Sequence, residues 1–479
     1  MKENGSILRA CIRRQYHILT AACVISVFIA YLVFYNGYTK RLIGSRTAGS
    51  GNRGSPSARY GRLTSNGEPT LHSREMDEWP GYIVHLFDHE GFKRSCLPNS
   101  SEFSIAGLPN FVKSWAKSPD KNCTVLYDRF SAIYSVEKRF GNVRMPKSFE
   151  PKVRGWLGNK DELFQELFHQ EIIHMINMYT RETTVFNPLR DKRPVTKPKE
   201  SEEDYIKRIT KESEATCDFC RYKNFTAEHT FGREETKLSF TASNIFKLDT
   251  LHAVVTIKDH DPINWSLEQY MDMMMLTVKW LKKAHASDPS AVYPAIIWDL
   301  LPKSGSSQLH PHDQVFLSPN RYQGMVETWR RAAQDYFVDF QSNYFSDLVS
   351  IYSALGLVAT HRSAVALASL TPRKDNEVII IAPEADTDFF ELIYYVLRAY
   401  IDDMKKYSFS LGGGFPAMSA EAKAGRIPAF VRVITRGVTT EIRTDISALE
   451  LFTATNVNID PYRVIAAIQD SVKKRASVK

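Results

Sequence analysis

Four side chains suited to a metal ion are spread along the middle of the chain. They are Cys217 and Cys220 in Cys217-Asp218-Phe219-Cys220, then His260, then His310. Two thiolates and two imidazoles make a complete tetrahedral zinc set. Their separations are too long for a zinc finger, so a shared ion would tie distant parts of one domain together. A CxxC alone is equally a disulfide, a redox pair or half a zinc site. His260, in Asp259-His260-Asp261-Pro262, stands at a strand end, where a lone histidine is more often structural.

His310 belongs to a denser stretch, Ser304-Gly305-Ser306-Ser307-Gln308-Leu309-His310-Pro311-His312-Asp313-Gln314. Alternate side chains of an extended chain share a face, so His310, His312 and Gln314 are expected to point one way. If the metal takes His310, His312 is left to act as a nucleophile. A neutral imidazole attacking phosphorus needs one nitrogen free and the other held by an acceptor such as a backbone carbonyl. Ser306, Ser307 and Gln314 are donors placed to hold non-bridging phosphate oxygens.

A pattern of strand, helix and strands occurs twice around this stretch. Ala253–Ile257 reads as a buried strand, residues 266–285 as a helix with a Ser266/Gln269 capping box, and Tyr293–Trp298 as a strand. Later come a strand at 377–382, a helix over 388–404 and a strand pair at 407–411 and 430–435. The members of that pair are separated by a segment opening on a glycine turn, Gly412-Gly413-Gly414. The repetition predicts an α+β chain of two domains related by duplication. Phe430-Val431-Arg432-Val433 occupies the place of the histidine motif in the second copy. Upstream, apolar residues from Leu163 to Ile173 at three- and four-residue steps predict a helix over 156–180.

Residues 18–35 carry no charge over 18 positions, which fits a single spanning helix. A short tail (1–17) precedes it, and a Gly/Ser/Arg-rich stem (36–77) follows that cannot bury a core. Arg9, Arg13 and Arg14 on one side balance Lys40, Arg41 and Arg46 on the other, so the positive-inside rule leaves the orientation undecided. Sequons at Asn99, Asn122, Asn224 and Asn264, and Cys96 with Cys123 as a pair able to close a disulfide, favour a type II protein with a lumenal body. The formal charge of +8 is modest, lies largely near the N-terminus, and suits lipid headgroups rather than nucleic acid.

From about Phe186 to Asp470 the chain resembles the galactose-1-phosphate uridylyltransferases of the histidine-triad (HIT-like) superfamily. The resemblance rests on Cys217/Cys220, on Asp259-His260, and on Gly305-x-Ser307-x-x-His310-Pro311-His312-x-Gln314. It implies HIT-like domains at 161–345, with the zinc site and histidine motif, and at 346–479, without the motif. Residues 78–160 form an extension of unassigned role. It further implies structural Zn²⁺ on Cys217, Cys220, His260 and His310, a covalent nucleotide on His312, and a homodimer. Gln314, where the superfamily's hydrolases carry a third histidine, implies transfer to a second phosphate acceptor. The substrates implied are a nucleotide-sugar and a sugar phosphate or phosphate. Arg190-Asp191-Lys192-Arg193-Pro194 matches a phosphate-contacting run, giving Arg190 and Arg193 as substrate ligands. Asp299 replaces a usual asparagine. In Thr444-Asp445-x-x-Ala448-x-Glu450 only Glu450 keeps the sugar-contacting pattern, and Asn456 replaces a glutamine. These departures leave the nucleotidyl chemistry intact and the galactose acceptor open.

Two other readings fit parts of the chain. Anchor, stem and sequons also suit a Golgi-type glycosyltransferase, with Asp259-His260-Asp261 or Asp386-Thr387-Asp388 holding a divalent metal. The altered sugar contacts also suit a non-catalytic, zinc-stabilised nucleotide-binding scaffold.

Overall fold

The computed structural model describes residues 80–98, 102–192, 200–419, 426–442, 444, 446, 448–451 and 454–477. The tail, the 18–35 segment, the stem, the Asn99 sequon and Arg193 lie outside the described residues. Among the described residues no helix is long and apolar enough to cross a membrane.

The extension opens with α1 (His89–Cys96), α2 (Leu108–Trp115) and α3 (Lys121–Ile133). Cys96 and Cys123 form a disulfide between α1 and α3. The Trp115 indole N–H donates to the Cys96 carbonyl at 2.9 Å, satisfying a fully buried ring. β1 (Tyr134–Asn142) runs directly out of α3, and α4 (Glu150–Trp156) and α5 (Asp161–Glu166) follow.

The expected 156–180 helix is not formed. After Leu167 the chain becomes β2 (His169–Asn177), paired antiparallel with β1 from Tyr134↔Asn177 to Asn142↔His169. Ile173, Met175 and Asn177 alternate inward, and the β-branched Ile172, Ile173 and Ile176 suit the pleat. The three- and four-residue spacing joined a short helix to a strand, and pairing with β1 decided the outcome.

β3 (Thr183–Phe186) and α6 (Glu202–Glu214) lead to β4 (Ser239–Ser243), β5 (Leu251–Ile257), α7 (Leu267–Ser287), β6 (Tyr293–Leu300) and β7 (His312–Ser318). The helix pair α8 (Gly324–Phe340) and α9 (Tyr344–Ala354) crosses to β8 (Val358–His361), β9 (Ala364–Ala368), β10 (Val378–Ala382) and α10 (Thr387–Arg398), which ends in a π turn to Asp403. Then come β11 (Phe409–Gly414), β12 (Ala429–Thr435), β13 (Ala454–Val457) and α11 (Pro461–Ala476). The Ser266/Gln269 capping box at the start of α7 is present in both directions.

One four-stranded sheet has the order β1-β2-β3-β13, so the extension and the C-terminal part share it. A nine-stranded sheet has the order β4-β5-β7-β6-β11-β12-β10-β9-β8. Apart from the edge strand β8, the sheet consists of two sets, β4-β5-β7-β6 and β9-β10-β12-β11, that repeat one order toward the centre. Each carries a helix between its second and third strands in sequence, α7 in one case and α10 in the other. The halves join along β6 and β11, from Ala295↔Gly414 to Leu300↔Phe409.

Gly412, Gly413 and Gly414 therefore lie inside β11, not in a turn. The reason is space. A Cβ on Gly413 would stand 2.1 Å from the Phe430 carbonyl oxygen, and one on Gly414 would meet Val326 at 2.6 Å. The glycines permit close approach within a packed sheet.

Candidate active site and metal centre

β5 ends at Ile257 and the chain turns through His260. β6 ends at Leu300, and a short loop returns into β7 at His312. Leu301 sets that loop at φ 72°, ψ 158°, a conformation that costs a non-glycine residue about 1–3 kcal/mol. Its side chain is buried in the core, which holds the strained backbone in place. Gly305 follows at φ 106°, where glycine carries no such cost.

These turns and the one after α6 bring Cys217, Cys220, His260 and His310 together, their donor atoms all within 4.8 Å of one another. A tetrahedron with bonds of roughly 2.0–2.3 Å has edges of roughly 3.3–3.8 Å. Here Cys217 Sγ lies 3.5 Å from His310 Nδ1, and Cys220 Sγ lies 3.4 Å from His260 Nδ1 and 3.6 Å from His310 Nδ1. The two Nδ1 atoms are 3.2 Å apart.

Both imidazoles are turned by their other nitrogen. His310 Nε2–H donates to the Ile257 carbonyl at 2.6 Å, and His260 Nε2–H reaches the Thr210 carbonyl at 3.2 Å and Ser213 Oγ at 3.0 Å. That fixes each tautomer with Nδ1 aimed inward, as metal-ligating histidines require. Burial holds His310 down to about 4, so it stays neutral. Burial and the adjacent Cys217 push the Cys220 thiol up to about 12, a proton that a bound cation would displace. The donor set fits a four-coordinate ion with no open position.

His312, the first residue of β7, is 8% exposed. Its Nδ1–H donates to the His310 carbonyl at 2.7 Å, which leaves Nε2 with the lone pair. Burial lowers its pKa, and the backbone bond offsets this only in part. The Phe219 ring of the CxxC turn stands edge-on to His310 and to His312, at 5.8 and 5.2 Å.

Gln314 shares the His312 face of β7. Its Oε1 accepts from His252 Nε2 at 3.0 Å and from Asn244 Nδ2 at 3.1 Å. The Leu248 backbone N–H donates to His252 Nδ1 at 3.0 Å, so the neutral ring carries its proton on Nε2 and must donate to Gln314. The Gln314 amide is thereby fixed with its oxygen occupied and its NH₂ without a described partner. Sequence reasoning missed His252 and Asn244. The available signal was a lone imidazole inside the apolar run Leu251-His252-Ala253-Val254-Val255. Asp313 points to the opposite face, where Oδ2 accepts from Thr277 of α7 at 3.1 Å.

Asp299 lies on β6 and accepts from Ser410 Oγ at 2.5 Å. Arg436 donates to the same Ser410 hydroxyl at 2.9 Å and to the Ser304 carbonyl at 3.1 Å, supplying the nearby cation that a carboxylate here needs. Burial raises the Asp299 pKa; Ser410 and Arg436 oppose the rise. Ser306 spends its hydroxyl proton on the Gln308 carbonyl at 2.6 Å, whereas Ser307 is exposed.

Arg190 sits elsewhere, in the Pro188–Lys192 turn after β3, and donates to Asn456 Oδ1 of β13. That bond ties the turn to the edge of the four-stranded sheet. Glu450 falls in the single helical turn Ala448–Leu451, and its side chain lies outside the described residues.

The aspartates of both Asp-x-Asp sequences are engaged in loop and helix structure. Asp261 accepts from the Ile263 and Asn264 backbone and from the Asn264 amide. Asp386 caps α10, and Asp388 accepts from Arg362 and Ser363.

No protein-family model matches the chain, and no curated protein matches it. Solved structures do. An ADP-glucose phosphorylase from Arabidopsis thaliana with bound ADP-glucose is 14% identical, covering 62% of this chain and 98% of that one, with a TM-score of 0.49. A GalT-like protein from Arabidopsis thaliana is 15% identical over 53% of this chain and 90% of its own, TM-score 0.44. A yeast Ap4A phosphorylase in complex with AMP is 12% identical over 69% and 96%, TM-score 0.29.

Proposed function

We propose that this chain is a nucleotidyltransferase or phosphorylase that moves a nucleotide from a nucleoside-diphosphate sugar, or a dinucleotide, through a covalent intermediate on His312. The observation that carries the reading is the pairing of His312 Nδ1 with the His310 carbonyl beside a Gln314 amide locked by His252. In the first half-reaction the Nε2 lone pair attacks the α-phosphorus. The bond to the bridging oxygen breaks, and sugar-1-phosphate departs with that electron pair. In the second, an oxygen of phosphate or of a sugar phosphate attacks the same phosphorus and the P–N bond breaks, restoring the neutral imidazole. The NH₂ of Gln314 stabilises charge on a non-bridging oxygen. Cys217, Cys220, His260 and His310 would hold zinc, which supplies rigidity to the loop that presents His312.

Incubation with an α-³²P-labelled nucleoside-diphosphate sugar tests the reading. Acid-labile label on the protein and parallel-line initial-rate plots are expected. Nucleotide binding with neither label nor turnover would instead favour the scaffold reading.

The body is proposed to face an oxidising lumen. The Cys96–Cys123 disulfide supports this, as do the exposed sequon residues Asn122, Asn224 and Asn264.

A further inference from the structure

Val153, Leu157 and Phe164 of the α4–α5 segment form a small buried cluster separate from the main core. Two of its members, Val153 and Leu157, line a cavity of about 460 Å³, walled further by Met145, Leu167 and Leu189. That volume falls in the ~300–1,000 Å³ range of small-molecule sites. Phe149 and Trp156 also line it and are each 40% exposed, which places them at the mouth. The cavity belongs to the four-stranded sheet, through Gln170 of β2 and the turn after β3. His312 belongs to the nine-stranded sheet.

Its charge is one-sided. Arg144, Arg190 and Lys192 line the same cavity, and no aspartate or glutamate does among the described residues. Arg144 is exposed and makes no ion pair among them. An apolar chamber edged by three cations suits a ligand that is apolar along its length and anionic at one end.

We propose that this cavity binds an amphipathic anion: a single alkyl or isoprenoid chain carrying a phosphate head. The chain lies against Val153, Leu157 and Leu167. The head meets Arg144, with Arg190 and Lys192 adding to the positive potential. The assignment stands independently of the chemistry at His312. Val153 and Leu157 give the cavity a buried apolar floor against which a single chain packs, below an exposed rim that carries Arg144.

The test uses the full chain in phosphatidylcholine nanodiscs and a diazirine-bearing dodecyl phosphate. Photolabel should map to residues 143–170. Unlabelled dodecyl phosphate should compete, while dodecanol and inorganic phosphate should not. Val153→Trp, which fills the chamber, should lower labelling by about tenfold, equivalent to about 1.4 kcal/mol. Arg144→Glu, an exposed change that leaves the packing intact, should weaken labelling without altering the far-ultraviolet spectrum. Equal competition by dodecanol or by inorganic phosphate would overturn the proposal. So would labelling insensitive to both variants, which would mark a lipid surface, or absence of label at 143–170. Covalent nucleotide on His312 is measured separately and is expected to be unchanged in both variants.

Discussion

β7 and β12 hold matching places in the two halves of the large sheet, one strand out from the central β6–β11 pair. β7 begins with His312, a buried neutral ring whose Nε2 lone pair has no described partner. β12 carries Arg432, buried to the same degree with its charge surrounded. Arg432 donates to Glu377 of the β9–β10 segment and to Glu182 of the β2–β3 turn, while Arg373 donates to Glu182 at 3.0 Å. The guanidinium also lies over the Trp329 ring at 5.3 Å. Glu182 stays below the usual carboxylate range because Arg432 and Arg373 outweigh its burial. Burial wins at Glu377 and raises it. One half leaves an imidazole nitrogen without a described partner; the other fills the same place with an ion network that ties the two sheets together. On the proposed function, the duplicated architecture separates chemistry from support.

The sharpest division is expected at His312. His312→Gln should remove turnover by about 10⁴-fold or more, as loss of a covalent nucleophile does, while the thermal midpoint stays close to wild type. Arg432→Met should do the reverse. Leaving two carboxylates buried around a neutral side chain should cost about 3–5 kcal/mol by denaturant unfolding, with label per folded molecule unchanged. Equal damage to both properties in either variant would break the comparison.

A smaller effect separates positioning from packing. His252→Phe keeps the ring's bulk and removes the proton that fixes Gln314. It should lower kcat by about tenfold with little change in KM, as the proposed transition-state role of Gln314 requires. A rise in KM alone would place Gln314 in ground-state binding.

The smallest effect concerns Asp313, between His312 and Gln314 in sequence but facing the core. Burial raises its pKa well above the ordinary value, and Thr277 offsets little of this. The folded chain keeps this proton at pH values where the unfolded chain, with an ordinary pKa of about 3.9, has lost it. Stability is therefore fully present below about pH 4 and falls as pH rises toward the folded pKa. Asp313→Asn should flatten that fall and add about 1 kcal/mol at neutral pH, read from unfolding curves across pH.

The convergence of Cys217, Cys220, His260 and His310 was legible because few roles need two thiols and two imidazoles, and the shared face of His312 and Gln314 followed from strand alternation. The capping box of α7 and the buried strands β5, β6 and β10 were legible through local pattern. β2 was not, because a helical spacing across Leu163–Ile173 spanned the end of one element and the start of another. The Gly412–Gly414 run reads as a turn by composition; only the Phe430 carbonyl and Val326 beside it reveal why side chains are excluded. His252 was invisible for a related reason: its role depends on a hydrogen bond to Gln314, 62 residues away. Arg432 stood in the right place in the sequence, but nothing local announced Glu182, 250 residues upstream.

The central claim is that His312 Nε2 carries the nucleotide. Mass spectrometry of the protein quenched at alkaline pH after brief exposure to a nucleoside-diphosphate sugar tests it directly. The expected result is a nucleoside-monophosphate adduct confined to the peptide containing Leu309-His310-Pro311-His312, fragmenting to His312, discharged by added phosphate and absent in His312→Gln. Turnover with no adduct at His312, or an adduct that persists in His312→Gln, would contradict it.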